Sequence, residues 1–95
     1  MYIRDASLQP KGYQQLTVST AAVGFTVPAG AHYALLKLND ANLLRWRDDG
    51  TDPSSTVGMP IPDQVDEFWY TGDLSAIKFI RSGGTNAIVN ISYYA

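Results

Sequence analysis

The chain has 95 residues, a formal net charge of −2, 45% hydrophobic residues and no cysteine. This length predicts one domain, and a chain without cysteine can form neither disulfides nor zinc–thiolate sites. The seven basic residues are scattered along the sequence, and phosphate binding needs them clustered. Nucleic acid is therefore not an expected partner.

The first twelve residues contain Pro10 and Gly12 and no apolar run. They predict an extended N-terminal arm over residues 1–12 rather than a signal peptide. No segment approaches the roughly 18 consecutive apolar residues of a membrane-spanning helix, so no membrane is expected as a partner. Residues 13–95 are expected to form the single domain.

From residue 13 onward, short β-rich runs are separated by Gly, Pro, Asn and Asp. These runs predict strands at residues 13–19, 24–27, 32–38, 43–47, 66–71, 74–81 and 87–94. Residues 74–80 also have apolar side chains at helical spacing, but the hairpin signal at residues 82–86 favours a strand. About seven or eight short strands predict an all-β fold, namely a single antiparallel β-sandwich of jelly-roll-like type.

A long loop over residues 48–62 interrupts the strand pattern. It is acidic at its start, and Pro53, Pro60 and Pro62 stiffen it. A small domain seldom carries so long a loop unless the loop contacts something. A sandwich of this size also has edge strands to cover, which favours association with copies of itself or with a larger surface.

Side chains on and beside this loop, together with those of the arm, are the predicted protein contacts. They are Tyr2, Ile3, Arg4, Arg45, Arg47, Asp48, Asp49, Asp52 and Met59. The alternation of the preceding strand places Arg45 and Arg47 on one face and Leu44 with Trp46 on the other.

Catalytic and metal-binding patterns are weak in this sequence. The acidic residues 48–52 have part of the spacing of a calcium loop, but the glycine position and the missing closing glutamate depart from the EF-hand pattern, so a turn is the favoured interpretation. The one histidine, His32, lies at a strand start, and no G-x-S-x-G motif accompanies it. We therefore predict no catalytic residue, no cofactor and no metal ligand.

Aromatic side chains supply the alternative site. Trp46, Trp69 and Tyr70 could form a platform on which a sugar stacks. Trp46 shares the face of Leu44, so packing in the core is favoured for it. Trp69 and Tyr70 are neighbours in a strand and point to opposite faces. One of these two is expected to be exposed, and the pair forms the alternative sugar-stacking site.

The segment from Leu44 to Pro60 reads LRWRDDGTDPSSTVGMP. It resembles the pattern R-W/Y-R-D-D-G-T-x-P-x-x-x-V-G-M-P of small virion-region proteins of tailed bacteriophages. Segments at residues 26–31, 74–80 and 89–94 also fit, so the resemblance spans roughly residues 10–95. Capsid decoration or cement proteins of phages are often small β-sandwiches.

The resemblance implies a structural function rather than an enzymatic activity. The expected protein is a non-enzymatic head decoration or cement subunit of the virion, assembled in the host cytoplasm. Its expected partners are the major capsid protein and further copies of itself. The alternative is an accessory module of the tail or baseplate that binds carbohydrate.

Overall fold

The computed structural model describes residues 7–39, 43–61 and 67–95. Within these residues eight strands follow one another: β1 (Pro10–Val18), β2 (Val23–Gly24), β3 (Tyr33–Leu38), β4 (Leu44–Arg47), β5 (Met59–Ile61), β6 (Phe68–Tyr70), β7 (Lys78–Arg81) and β8 (Ala87–Tyr94). The segments that the structure describes contain no helix that is long and apolar enough to span a membrane.

The strands form two four-stranded sheets with the orders β1-β8-β3-β6 and β2-β7-β4-β5. All six pairings among these strands are antiparallel. Four of them join β1 to β8, β2 to β7, β3 to β6 and β4 to β5, and the other two join β3 to β8 and β4 to β7 inside the sheets. This is the pattern of one long hairpin rolled up on itself, which is the eight-stranded jelly roll. The prediction of a jelly-roll-like β-sandwich is confirmed. Residues 48–58, which connect β4 to β5, form the tip of the rolled hairpin.

The strict alternation of β8 fills the space between the two sheets. Ala87, Val89, Ile91 and Tyr93 are each fully buried, and the residues between them face outward. Antiparallel register brings Leu16 of β1 opposite Val89, so both side chains enter the same core. Burial raises the pKa of the Tyr93 hydroxyl to about 12.

A glutamine side chain links the edge strand β1 to the segment that follows β2. The side chain of Gln14 lies opposite Ile91, on the inner face of its sheet. Its carbonyl oxygen accepts hydrogen bonds from the hydroxyl of Tyr93 at 2.7 Å and from the backbone N–H of Thr26 at 3.1 Å. The segment that follows β2 is thereby tied to the edge strand β1, which satisfies polar groups at an exposed sheet edge.

The predicted loop and the predicted arm both differ from the structure at their boundaries. Strand β5 lies inside the predicted loop 48–62, because Met59 and its neighbours pair with β4 in a hairpin. Pro60 is tolerated there because β5 is an edge strand. Strand β1 begins inside the predicted arm 1–12, and the backbone groups of Gln9 and Ala95 bond to each other at 2.8 and 2.9 Å.

The predicted strands at residues 24–27 and 74–81 are both shortened. In the second case the carboxylate of Asp73 accepts hydrogen bonds from the backbone N–H and the hydroxyl of Ser75, at 3.0 and 2.6 Å. These bonds hold a turn, so β7 starts only at Lys78. Leu74 and Ile77 are nevertheless buried in the core. Their spacing therefore reflects a packed turn rather than a strand.

Candidate functional site

The long loop folds back over the outer face of its own sheet. Arg45 and Ile80 lie opposite each other in register on that face. Ile80 is only 9% exposed although it does not belong to the core cluster between the sheets. Pro53, which is buried, and Ser55 line the same surface cavity as Ile80. The loop therefore acts as a cover for this sheet.

Arg45 fastens the cover to the sheet. Its Nε donates to the carbonyl oxygen of Ser55 at 3.3 Å, and its Nη1 donates to the carbonyl oxygen of Gly58 at 2.9 Å. Gly58 has a φ of +146°, and a Cβ added there would lie 3.1 Å from the Cβ of Arg45. The sequence pattern predicts Arg45 as a contact with a partner. In the structure, its guanidinium binds the chain's own loop.

A small turn keeps the middle of the loop rigid. The backbone N–H of Ser54 donates to the carbonyl oxygen of Val57 at 2.8 Å. The hydroxyl oxygen of Ser54 accepts from the N–H groups of Thr56 and Val57 at 3.3 and 3.0 Å. Serine side chains bind nearby backbone in this way at turns. The conformation of the loop is thus determined by its own residues.

Arg47 and Asp49 form a closed ion pair at the start of the loop. The guanidinium donates through both Nε and Nη2 to the two carboxylate oxygens, with 2.9 Å between Nε and Oδ1. The hydrogen bond from Arg47 lowers the pKa of the Asp49 carboxyl, and the same bond raises the pKa of Arg47. The two charges neutralise each other, so neither is a free contact group.

Asp48 is held by a tyrosine of the facing sheet. The hydroxyl of Tyr70 donates to Oδ2 of Asp48 at 2.7 Å. Burial, and then this hydrogen bond, raise the pKa of Tyr70 above its ordinary value. The ring of Trp46 meets the ring of Tyr70 edge to face, with 6.1 Å between the centroids. Trp46 and Asp48 are therefore positioned through one shared neighbour.

A shallow open groove lies between β4 and the end of the loop. It has a volume of about 530 Å³, and its walls are mostly apolar. Trp46, Val57 and Met59 line it, together with Arg47, Asp48, Asp49 and Gly58. Val57 and Met59 are 53% and 57% exposed. Two large apolar side chains are thus presented to solvent where the rigid loop ends and β5 begins. We call this groove the Trp46 groove.

The structure brings together some of the predicted contact residues and separates others. Arg47, Asp48, Asp49 and Met59 line the Trp46 groove. Asp52 is exposed on the same loop but does not line it. Tyr2, Ile3 and Arg4 lie outside the described residues.

The sequence analysis missed Val57 and Tyr70 as parts of this site. Tyr70 was considered only as a sugar-stacking residue. Val57 had a visible signal, since it is an apolar residue within a polar, turn-rich loop. The role of Tyr70 depends on contact across the two sheets, which no local pattern reveals.

Trp69 and Tyr70 do not form the predicted sugar-stacking platform together. Trp69 and Tyr70 point to opposite faces, as expected for neighbours in a strand. Tyr70 is buried in the core, so its ring cannot take a sugar. Trp69 is half-buried on the outer face, with its ring centroid 5.5 Å from that of Tyr94. The prediction is therefore corrected to Trp69 alone.

Within residues 7–39, 43–61 and 67–95, no group of three or more His, Cys, Asp or Glu is placed to hold a metal ion. His32 is exposed just before β3, where its backbone N–H donates to the carbonyl oxygen of Tyr94 at 2.8 Å. This placement agrees with an ordinary histidine at a strand end.

No protein-family model, curated protein or solved structure matches this chain. The resemblance to phage virion proteins therefore stays a prediction.

Proposed function

We propose that the protein is a non-enzymatic structural subunit of a tailed-phage virion, of the head decoration or cement type. The observation that carries this proposal is the exposure of Val57, at the end of the rigid loop, and of Met59, at the start of β5, beside Trp46. The resemblance of residues 44–60 to phage virion proteins supplies the biological context. The expected partners are the major capsid protein and other copies of this chain.

Val57 and Met59 expose apolar surface beside each other. Exposed apolar side chains that lie together on a small soluble domain are typical of a surface that another molecule covers. Here Val57 lies on a loop whose shape is already determined by Arg45 and by the Ser54 turn, and Met59 begins the strand that follows this loop. A preorganised loop loses little conformational entropy when it docks. Such a surface can bind with useful affinity through a small contact area.

The size of the domain agrees with this role. A chain of 95 residues buries only a modest apolar core, so contact with a larger surface would add stability that the isolated domain lacks. Many copies on a lattice would also turn weak single contacts into firm attachment through multivalency. A cement subunit needs these properties and requires no catalytic group.

The decisive experiment is the copy number of the protein in purified virions, measured by quantitative mass spectrometry against the major capsid protein. We expect the protein in hundreds of copies per particle, as for a component of the capsid lattice. Its absence from intact particles would end the proposal, and so would a number of only a few copies.

A second measurement assigns the contact. Particles that lack the protein are mixed with wild type, with the double variant Val57→Ser/Met59→Ser, or with the control Asp52→Asn. We expect the double variant to bind much more weakly and the control to bind like wild type. Equal binding by all three would place the contact elsewhere on the molecule.

The alternative function is a tail or baseplate accessory module that binds carbohydrate, and Trp69 favours it. This ring lies partly open on the outer face of the sheet that contains β1 and β8. A glycan array together with tryptophan fluorescence tests this alternative. Binding of a defined sugar that is lost in Trp69→Ala, together with a low copy number per virion, would favour it over cement.

A further inference from the structure

We propose that the Trp46 groove accepts a lysine or arginine side chain of the partner polypeptide. This inference deepens the proposed function and rests on it, because it names the chemical group that docks on the contact surface. It is carried by the combination of apolar walls, one aromatic ring and the carboxylate of Asp48, which forms no ion pair with any described residue.

The walls of the groove suit an aliphatic stem. Val57 and Met59 present exposed apolar surface on one side, and the half-buried Trp46 lies across from them on the neighbouring strand. Lysine and arginine side chains place their methylene groups along such surfaces while the charged end stays in contact with water. The face of a tryptophan ring also attracts a cation that lies within about 6 Å of it.

The charges of the groove favour a cation over an anion. Three charged residues line it, namely Arg47, Asp48 and Asp49. The first and last neutralise each other in their bidentate pair. Asp48 accepts a hydrogen bond from the neutral hydroxyl of Tyr70, and in the part of the chain that the structure describes its carboxylate forms no ion pair. The groove therefore carries a net charge of about −1 at neutral pH.

Asp48 is also held in place before any partner arrives. The hydrogen bond from Tyr70 engages Oδ2. The carboxylate is thus oriented while Oδ1 keeps its acceptor capacity. A bound ammonium or guanidinium group would complete the charge balance of the groove. A purely apolar side chain would leave Asp48 without a counter-ion in a partly covered contact, which is unfavourable.

The test uses NMR titration of the full chain with small probes. The probes are Nα-acetyl-lysine methylamide, Nα-acetyl-arginine methylamide and Nα-acetyl-norleucine methylamide, which lacks the charge but keeps the stem. We expect the cationic probes to shift the indole N–H signal of Trp46 and the methyl signal of Met59. Norleucine should bind about fivefold more weakly, as expected for one weak ion pair or cation–π contact.

Two variants and the salt concentration separate charge from packing. Asp48→Asn keeps an acceptor for Tyr70 but removes the charge, so the lysine probe should bind it about as weakly as norleucine binds wild type. Asp52→Asn removes a charge from the same loop outside the groove, and it should bind lysine like wild type. Raising the salt concentration should weaken lysine binding and leave norleucine binding unchanged.

Two results would overturn the proposal. Equal affinity for lysine and norleucine in wild type would show that the groove recognises apolar groups only. Shifts of Trp46 and Met59 by monosaccharides, with none by the cationic probes, would assign the groove to carbohydrate.

The virion copy number separates this inference from the proposed function. Many copies per virion without lysine binding would leave the cement function standing and remove the cationic contact. Charge-dependent lysine binding by a protein that is absent from virions would remove the cement function and leave the cationic contact standing.

Discussion

The two outer faces of the sandwich differ in how they are protected. The face of the sheet with β4 and β7 lies under the loop, where Ile80 is buried at a position that normally meets solvent. The face of the sheet with β1 and β8 carries polar contacts between strands, and the hydroxyl of Tyr13 and the amide of Gln15 both donate to Asn90. Tyr13 itself remains 65% exposed.

This comparison shows that an outward position in a sheet does not determine burial by itself. On one outer face, the loop packs over the sheet and forms a second, small apolar contact around Ile80. The loop also carries exposed side chains of its own. The other face has no such cover from the loop: its strands are joined by side-chain hydrogen bonds, and Tyr94 is buried there beside the ring of Trp69. The loop is therefore a structural element of the sandwich as well as its candidate contact surface.

The largest expected loss of stability comes from a substitution that compares the two outer faces directly. Ile80→Ala should lower the free energy of unfolding by about 2–3 kcal/mol, near the lower end for a buried isoleucine, because the space under the loop is left unfilled. Thr17→Ala, at an exposed outward position of β1, should lower it by less than about 1 kcal/mol. Chemical denaturation measures both. Equal small effects would mean that the loop does not cover Ile80.

Loss of the Arg45 side chain, which fastens the loop to the sheet, should have the next largest effect. Arg45→Ala should lower the free energy of unfolding by about 1.5–3 kcal/mol, because two loop carbonyl groups lose a charged donor. Arg47→Ala is the matched control on the same face of the same strand. It removes only an exposed ion pair and should have a much smaller effect. Equal stability of the two variants would contradict the role of Arg45 in fastening the loop to the sheet.

Gly58→Ala tests the close approach of loop and strand. An alanine at φ +146° is strained, and its Cβ would lie 3.1 Å from Arg45 and 3.2 Å from Pro53. We expect a loss of about 1–3 kcal/mol in the free energy of unfolding, measured by denaturation. Gly50→Ala is a useful control, because that glycine also has a positive φ but no atom near its Cβ. A loss no greater than that of the control would mean that packing at Gly58 is loose.

Tyr70→Phe should have the smallest effect at neutral pH. Loss of the hydrogen bond to Asp48 should cost about 0.5–1.5 kcal/mol. The pKa of Tyr70 is raised in the folded state, so folded protein keeps this proton at pH values where the unfolded chain releases it. Stability is therefore full below about pH 10 and falls as the pH rises above it.

The pH dependence of this variant supplies the check. Because the pKa of Tyr93 is also raised, to about 12, wild type should lose stability above pH 10 through both tyrosines. Tyr70→Phe should lose less stability over the same range. Identical alkaline curves for variant and wild type would contradict the burial and hydrogen bonding of the Tyr70 hydroxyl.

Much of the fold could be predicted from the sequence because its signals are local. Alternation in residues 87–94 and the glycine-rich turn before them indicate a core strand, and β8 is that strand. The turn over residues 74–77 was missed because Ile77 and Phe79 have strand spacing. Strand β5 was missed because three residues with a central proline carry little strand signal.

The candidate site was predictable only in part. Charged and apolar residues on a proline-containing loop pointed to the correct segment, and Met59 proved exposed. The roles of the two arginines could not be separated, since both alternate to the same face of β4. Whether an arginine binds its own loop or a nearby aspartate depends on how the loop folds back. That depends on contacts such as those of Gly58 with the strand.

Hydrogen exchange of the loop amides tests the central claim most directly, which is that the loop is a folded cover rather than a free arm. The N–H groups of Ser54 and Val57 are bonded within the turn, and Gly50 lies in an exposed bend of the same loop. We predict that the first two amides exchange at least about tenfold more slowly than Gly50 in wild type, and that Arg45→Ala removes most of this difference. Exchange of all three amides at the same fast rate in wild type would contradict the account.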